Sequence, residues 1–233
     1  MRSQPVTGHA GRWRRIAWLS ILAGCCVAQV AKKPNEDYAT PERRQHAASE
    51  MEHPIRPRVE HTAELVESLG IRPLDAVADV GTGVGYLIPY LLSKVGPFGS
   101  VWAEDIFPDF IASVQKKIEA ARWRNVHAVL GTEQDPKLPP AQFDVAIVLD
   151  TYHHFNYPLQ MLQHIRTALK PQGRLIIIEY YRSRLRPGAT EEDLQSHIRL
   201  DHDGVVAEVS AHGFHLTKSF DHLPYEYVLD FAR

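Results

Sequence analysis

The sequence predicts an α/β fold: a doubly wound, mostly parallel sheet between layers of helices, closed by an antiparallel strand. Three observations predict it. Short apolar runs alternate with stretches of helical period from residue 59 onward, the pattern of parallel βαβ units with helices on both sheet faces. Val77-Ala78-Asp79-Val80 then runs straight into Gly81-Thr82-Gly83-Val84-Gly85, the grammar of a buried strand turning sharply beneath a nucleotide-like ligand. Finally, residues 214–220 and 225–231 are strand-like and are separated only by Asp221-His222-Leu223-Pro224. A linker that short permits only an antiparallel hairpin.

The elements follow in order. Residues 59–69 place Val59, Ala63, Leu65, Val66 and Leu69 at steps of three and four, predicting an amphipathic helix stopped by Gly70. Residues 76–80 are the first strand and 84–95 the first crossover helix, with Pro89 near its start, where backbone N–H groups are unpaired anyway. A second strand covers 99–104, and a helix with proline in its first turn covers 108–121. Strands at 126–130 and 143–149 follow, then a helix at 158–169 with Leu159, Leu162, Ile165 and Leu169 on one face. Gly173 introduces a fifth strand at 174–179, and 194–198 and 204–211 are helical candidates before the hairpin.

Composition bounds the chemistry. The 233 residues carry 26 Lys+Arg against 28 Asp+Glu, enough chain for one well-buried domain plus an extension. The near-neutral balance gives no general drive toward nucleic acid, and no nucleic-acid partner is expected. Both cysteines, Cys25 and Cys26, lie in the first thirty residues. A disulfide framework, a cysteine-type zinc site and a cysteine nucleophile are therefore excluded from the folded domain.

Residues 1–30 read as a signal-like or lipoprotein-like segment. Arg12, Arg14 and Arg15 precede the apolar run 16–24, which is too short to span a bilayer. Leu22-Ala23-Gly24-Cys25 resembles a bacterial lipobox. The expectation is an exported or membrane-anchored protein, or a cytoplasmic one if translation starts at Met51. Residues 31–58 are polar, hold Pro34, Pro41, Pro54 and Pro57, and read as a tether. The folded domain is assigned to 59–233.

Asp79-Val80-Gly81-Thr82-Gly83-Val84-Gly85 resembles the first motif of class I S-adenosylmethionine-dependent methyltransferases. Val101-Trp102-Ala103-Glu104-Asp105, Phe143-Asp144-Val145-Ala146-Ile147-Val148-Leu149-Asp150 and Leu169-Lys170-Pro171-Gln172-Gly173-Arg174-Leu175 resemble that family's second, fourth and fifth strands, with Gln172 in place of a glycine. The resemblance covers residues 59–231. Asp150-Thr151-Tyr152-His153-His154-Phe155 is similar to a loop of bacterial small-molecule enzymes of this class, broadly like those of quinone biosynthesis. It implies a seven-stranded sheet of order 3-2-1-4-5-7-6, S-adenosyl-L-methionine as cofactor, and methyl transfer to a small molecule.

The resemblance also assigns a site. Gly81, Gly83 and Gly85, with Thr82 between them, would let the backbone approach the methionine end of the cofactor, whose carboxylate the following helix N-terminus favours. Asp79 would accept from its ammonium. Asp105, with Glu104 as rival, would bind the ribose hydroxyls, at close to the ~20 residues beyond the glycines expected for such an acid. Thr132 and Glu133, with Asp135 as rival, would lie near the adenine. Asp150, Tyr152, His153 and His154 would flank the transferable methyl group. His153 or His154 could deprotonate an acceptor, though a packing role explains the pair as well, and Tyr152 reads as a pocket wall. His197 and Asp201 share a helix face at i,i+4, but no further ligand has metal-site spacing; His197, Asp201, His202 and Asp203 read as a polar surface, and no metal is expected.

Two other classes compete. An NAD-binding oxidoreductase prefers G-x-G-x-x-G, whereas these glycines are evenly spaced. A non-catalytic binding protein that kept the fold would reconcile an exported chain with a methyl donor made in the cytosol.

Overall fold

The structure, a computed structural model, describes Met1 and residues 29–185 and 188–233. The signal-like and lipobox features lie outside the described residues. Among the described residues, no helix is long and apolar enough to cross a membrane.

Seven strands form one sheet of order β3-β2-β1-β4-β5-β7-β6: β1 (Ala76–Val80), β2 (Ser100–Asp105), β3 (Val126–Leu130), β4 (Phe143–Leu149), β5 (Leu169–Tyr180), β6 (His215–Phe220) and β7 (Glu226–Ala232). β1 pairs in parallel with β2 and β4, and β4 with β5, whereas β7 is antiparallel to both β5 and β6. The order and the antiparallel strand agree with the sequence reading. All of β1 is buried, as expected for a central strand covered on both faces.

Two apolar layers clamp the sheet. On one side α3 (Thr62–Ser68), α4 (Ile88–Val95) and α5 (Pro108–Ala121) supply Leu65, Val66, Leu91, Val95 and Val114. On the other, α6 (Pro158–Ala168) and α8 (His202–Ala211) supply Met161, Leu162, Ile165, Val205 and Val209.

Several boundaries differ from expectation, each for a local reason. The crossover helix begins at Ile88 and not at residue 84, because Gly83 and Gly85 sit at φ +57 and +84, outside the helical region. The helix expected over 59–69 is broken by His61 at φ +49 into α2 (Arg56–Val59) and α3. β5 begins five residues early, because Leu169 pairs with Phe143 across an irregularity at the start of β4. A short helix, α7 (Glu191–His197), ends at His197; Asp201 is instead the N-cap of α8, accepting from the Gly204 amide at 3.0 Å. His197 and Asp201 therefore do not share a helix face.

The largest correction concerns residues 31–58, expected to be a tether. They hold a 3-10 turn (Pro34–Tyr38), α1 (Pro41–Met51) and α2, folded against the carboxyl edge of the sheet. Thr40 caps α1 by accepting from the Arg43 amide. The anchors are isolated side chains: Tyr38 stacks on Phe107 at 5.8 Å, Arg44 pairs with Asp109 at 2.7 Å, and Asn35 donates to the His154 carbonyl at 3.0 Å. α1 buries no residue, so it carries no apolar stripe for sequence periodicity to detect.

Candidate active site

β1 and β4 are neighbours, and the chain crosses to opposite sides of the sheet from them. Their carboxyl ends border the crevice where open α/β sheets bind ligands. A cavity of about 1490 Å³ opens there, roofed by the 3-10 turn and α1. Of the residues assigned from sequence, Asp79, Gly81, Thr82, Gly83, Asp105, Thr132, Glu133, Asp150, His153 and His154 all border it.

The glycine turn is tied to both acids. Asp79 is buried and accepts from the Thr82 hydroxyl at 2.6 Å. Asp105 accepts from the amides of Gly83 and Phe107, each at 2.9 Å, so one carboxylate fixes the turn to the end of β2. Gly81 and Gly83 have φ +75 and +57, and a Cβ on Gly83 would come within 2.6 Å of the Met51 Sδ at the end of α1. Gly85 departs from expectation: it does not border the cavity, and a Cβ there would strike Ile88.

Glu104, the rival of Asp105, also borders the cavity; its carbonyl accepts from the amides of Gly81 and Thr82 at 2.9 and 2.8 Å. Thr132 shapes a tight turn with Asp135, while Glu133 accepts from Asn156 Nδ2 at 3.0 Å. Asp135, the rival there, turns away to pair with Lys137 and lies outside the cavity lining. Tyr152 is likewise no pocket wall. It is 1 % exposed in the core, and its hydroxyl donates to Glu208.

Asp150 takes a left-handed backbone, φ +49, at the end of β4. Its carboxylate receives Arg56 at 3.2 Å and the Tyr180 hydroxyl at 3.0 Å. Arg56 also grips Glu60 at 2.8 Å and lies over the Tyr86 ring at 4.0 Å. Burial opposes its charge, but Glu60 and Asp150 outweigh that and raise its pKa. Asp150, expected as a cofactor ligand, borders the cavity and also joins β4, β5 and α2. His153 sits with Nδ1 2.8 Å from both Glu179 oxygens, and His154 Nδ1 lies 2.9 Å from Asn35 Oδ1. Arg56, Glu60, Tyr180, Glu179 and Asn35 were missed from sequence. Only the Arg56–Glu60 pair had a signal, its i,i+4 spacing.

Electrostatically the site is a reservoir of hard-to-ionise acids. Burial pushes Asp79 up to about 6, Asp105 up to about 7 and Glu179 up to about 8, and holds Glu104 well above the usual carboxylate range. The folded state therefore keeps protons that the unfolded chain releases, so stability falls as pH rises through the folded-state values. His154, depressed by burial, acts oppositely but only below about pH 6.5, the ordinary histidine value. The ligand-free protein is expected to melt at a lower temperature at pH 8.5 than at pH 6.5. A flat or rising melting temperature by calorimetry would contradict this account of the buried acids.

The comparisons agree with this architecture. Residues 78–175 match the family model for a methyltransferase domain. Over that stretch, from β1 into β5, the chain resembles a methyltransferase domain. It is 29% identical over 115 residues to a protein-L-isoaspartate O-methyltransferase of Methanothrix thermoacetophila, an alignment covering 49% of this chain and 52% of that one. It is 28% identical over 116 residues to a ubiquinone/menaquinone biosynthesis C-methyltransferase of Ectopseudomonas mendocina, covering 49% and 45%. The chain thus spans about half the length of the curated relatives it matches. Among solved structures, a SAM-dependent methyltransferase from Aquifex aeolicus superposes with a TM-score of 0.72 at 22% identity, covering 80% of this chain and 97% of that one.

Proposed function

We propose that the protein transfers a methyl group from S-adenosylmethionine to a small-molecule acceptor. One arrangement carries the reading: Asp79, the Gly81–Gly83 turn and Asp105 gather at the carboxyl ends of β1 and β2 around a single cavity. The residues present fit the cofactor's polar ends. In this reading Asp79 would take the ammonium and Asp105 the ribose diol. The left-handed glycines keep side chains away where a ligand must approach the backbone. Glu133 and Asn156 offer hydrogen bonds at the far wall.

When bound, S-adenosylmethionine supplies a sulfonium-activated methyl group for in-line displacement. The chain contributes position and dryness, which can reach effective molarities of ~10⁵ M or more. The 3-10 turn and α1 line one side of the cavity and would limit the access of water to a bound ligand.

Calorimetric titration of the full-length protein tests the reading. S-adenosylmethionine or its demethylated product should bind and NAD should not. Binding of NAD alone would favour the oxidoreductase alternative and sink the proposal.

A further inference from the structure

The fold brings together three histidines that the sequence keeps apart. His153 and His154 follow β4, and His197 closes α7. One ring nitrogen of each lies within 4.8 Å of those of the other two. His197 has its ring centroid 5.0 Å from that of His153 and 5.3 Å from that of His154, and all three border the cavity.

Two of the rings are oriented from behind. Nδ1 of His153 rests on Glu179, a carboxylate only 1% exposed. Nδ1 of His154 faces Asn35 Oδ1, and the Asn35 amide nitrogen donates to the His154 carbonyl, so the amide orientation is fixed. Metal-binding histidines are held in this way: one ring nitrogen donates to a carboxylate or carbonyl, and the other is directed at the ion. The acidic trio Glu60, Asp150 and Glu226 is as tightly spaced, but the Arg56 guanidinium already supplies its cation.

We propose that His153, His154 and His197 bind a single divalent transition-metal ion of the zinc type, with Glu179 and Asn35 as positioning residues. Imidazole ligands suit zinc, nickel and copper, whereas magnesium and calcium prefer all-oxygen shells. Three protein ligands leave a fourth position facing the cavity, the pattern of a catalytic zinc site more than a structural one. That position would take water or an oxygen or sulfur ligand.

The test uses full-length protein stripped with chelator and titrated with Zn²⁺ by calorimetry and with Co²⁺ by visible absorption. S-adenosylmethionine and acceptor are omitted, so the outcome is independent of methyl transfer. One tight equivalent is expected, with a low-coordinate Co²⁺ spectrum. His197→Gln should weaken it by at least roughly 100-fold, and Glu179→Gln by roughly 10- to 100-fold. His164→Gln and His215→Gln, on the surface, should leave it unchanged. Zinc K-edge absorption on the unsubstituted protein should count three imidazoles, which holds even if a variant fails to fold. Absence of a tight equivalent, undiminished affinity in a folded His197→Gln protein, or fewer than three imidazoles would overturn the site.

Discussion

Replacing Gly83 with leucine is expected to weaken S-adenosylmethionine binding by about 100-fold, a loss of ~2.7 kcal/mol, while the domain stays folded. Gly83 is buried at φ +57, its amide donates to Asp105, and a Cβ would come within 2.6 Å of Met51 Sδ. A leucine there fills the space a ligand must use and displaces the end of α1. The backbone cost of a left-handed side chain is only about 1–2 kcal/mol, which lowers the melting temperature by a few degrees. Gly70→Leu is the control: φ is +61, and the nearest atom to its Cβ position is Arg174 Nη2 at an ordinary 3.9 Å. It carries the strain without the obstruction and should bind normally. Calorimetry on both variants, with circular dichroism to confirm folding, decides the matter. Near-normal binding by Gly83→Leu would falsify the placement of the cofactor over this turn.

Arg56→Ala is expected to cost about 3–5 kcal/mol of stability, the range for removing one partner of a buried charge network, or ~10 °C in melting temperature. Arg56 is the cation among Glu60, Asp150 and Glu226, pairing with Glu60 at 2.8 Å and Asp150 at 3.2 Å. Burial and the neighbouring carboxylates already hold Glu60 and Glu226 above their ordinary range. Without Arg56 these acids must ionise against each other or stay protonated. The deficit should therefore shrink on moving from pH 8 to pH 5.5, where protonation is easy. Thermal melts of both proteins across that range check this. A deficit independent of pH would mean that Arg56 acts through packing on Tyr86 and not through charge.

Much of the fold was legible because its signals are local. Residues 76–80, 108–121, 126–130 and 143–149 were placed at their observed limits from apolar runs and turn residues alone. Asp79 and Asp105 were legible from motif order, and both reached the cavity. Gly85 shows the limit of that reasoning: an evenly spaced glycine reads as a ligand contact, yet it lies against Ile88 and outside the cavity lining. Residues 31–58 show another. Helices that dock through Tyr38, Arg44 and Asn35 leave no periodic stripe, and their partners Phe107, Asp109 and His154 are far away in the chain.

The sequence by itself determined the order of strands and helices, the antiparallel end and the sharp glycine turn after the first strand. Periodicity, glycine placement and linker length act between adjacent residues, so the string of letters contains them. Only the tertiary structure decided that residues 31–58 roof the cavity, that Arg56 neutralises the acids around Asp150, and that His197 meets His153 and His154. Those outcomes depend on which distant segments the closed sheet brings to one edge, and on the burial that then forces each polar group to find a partner.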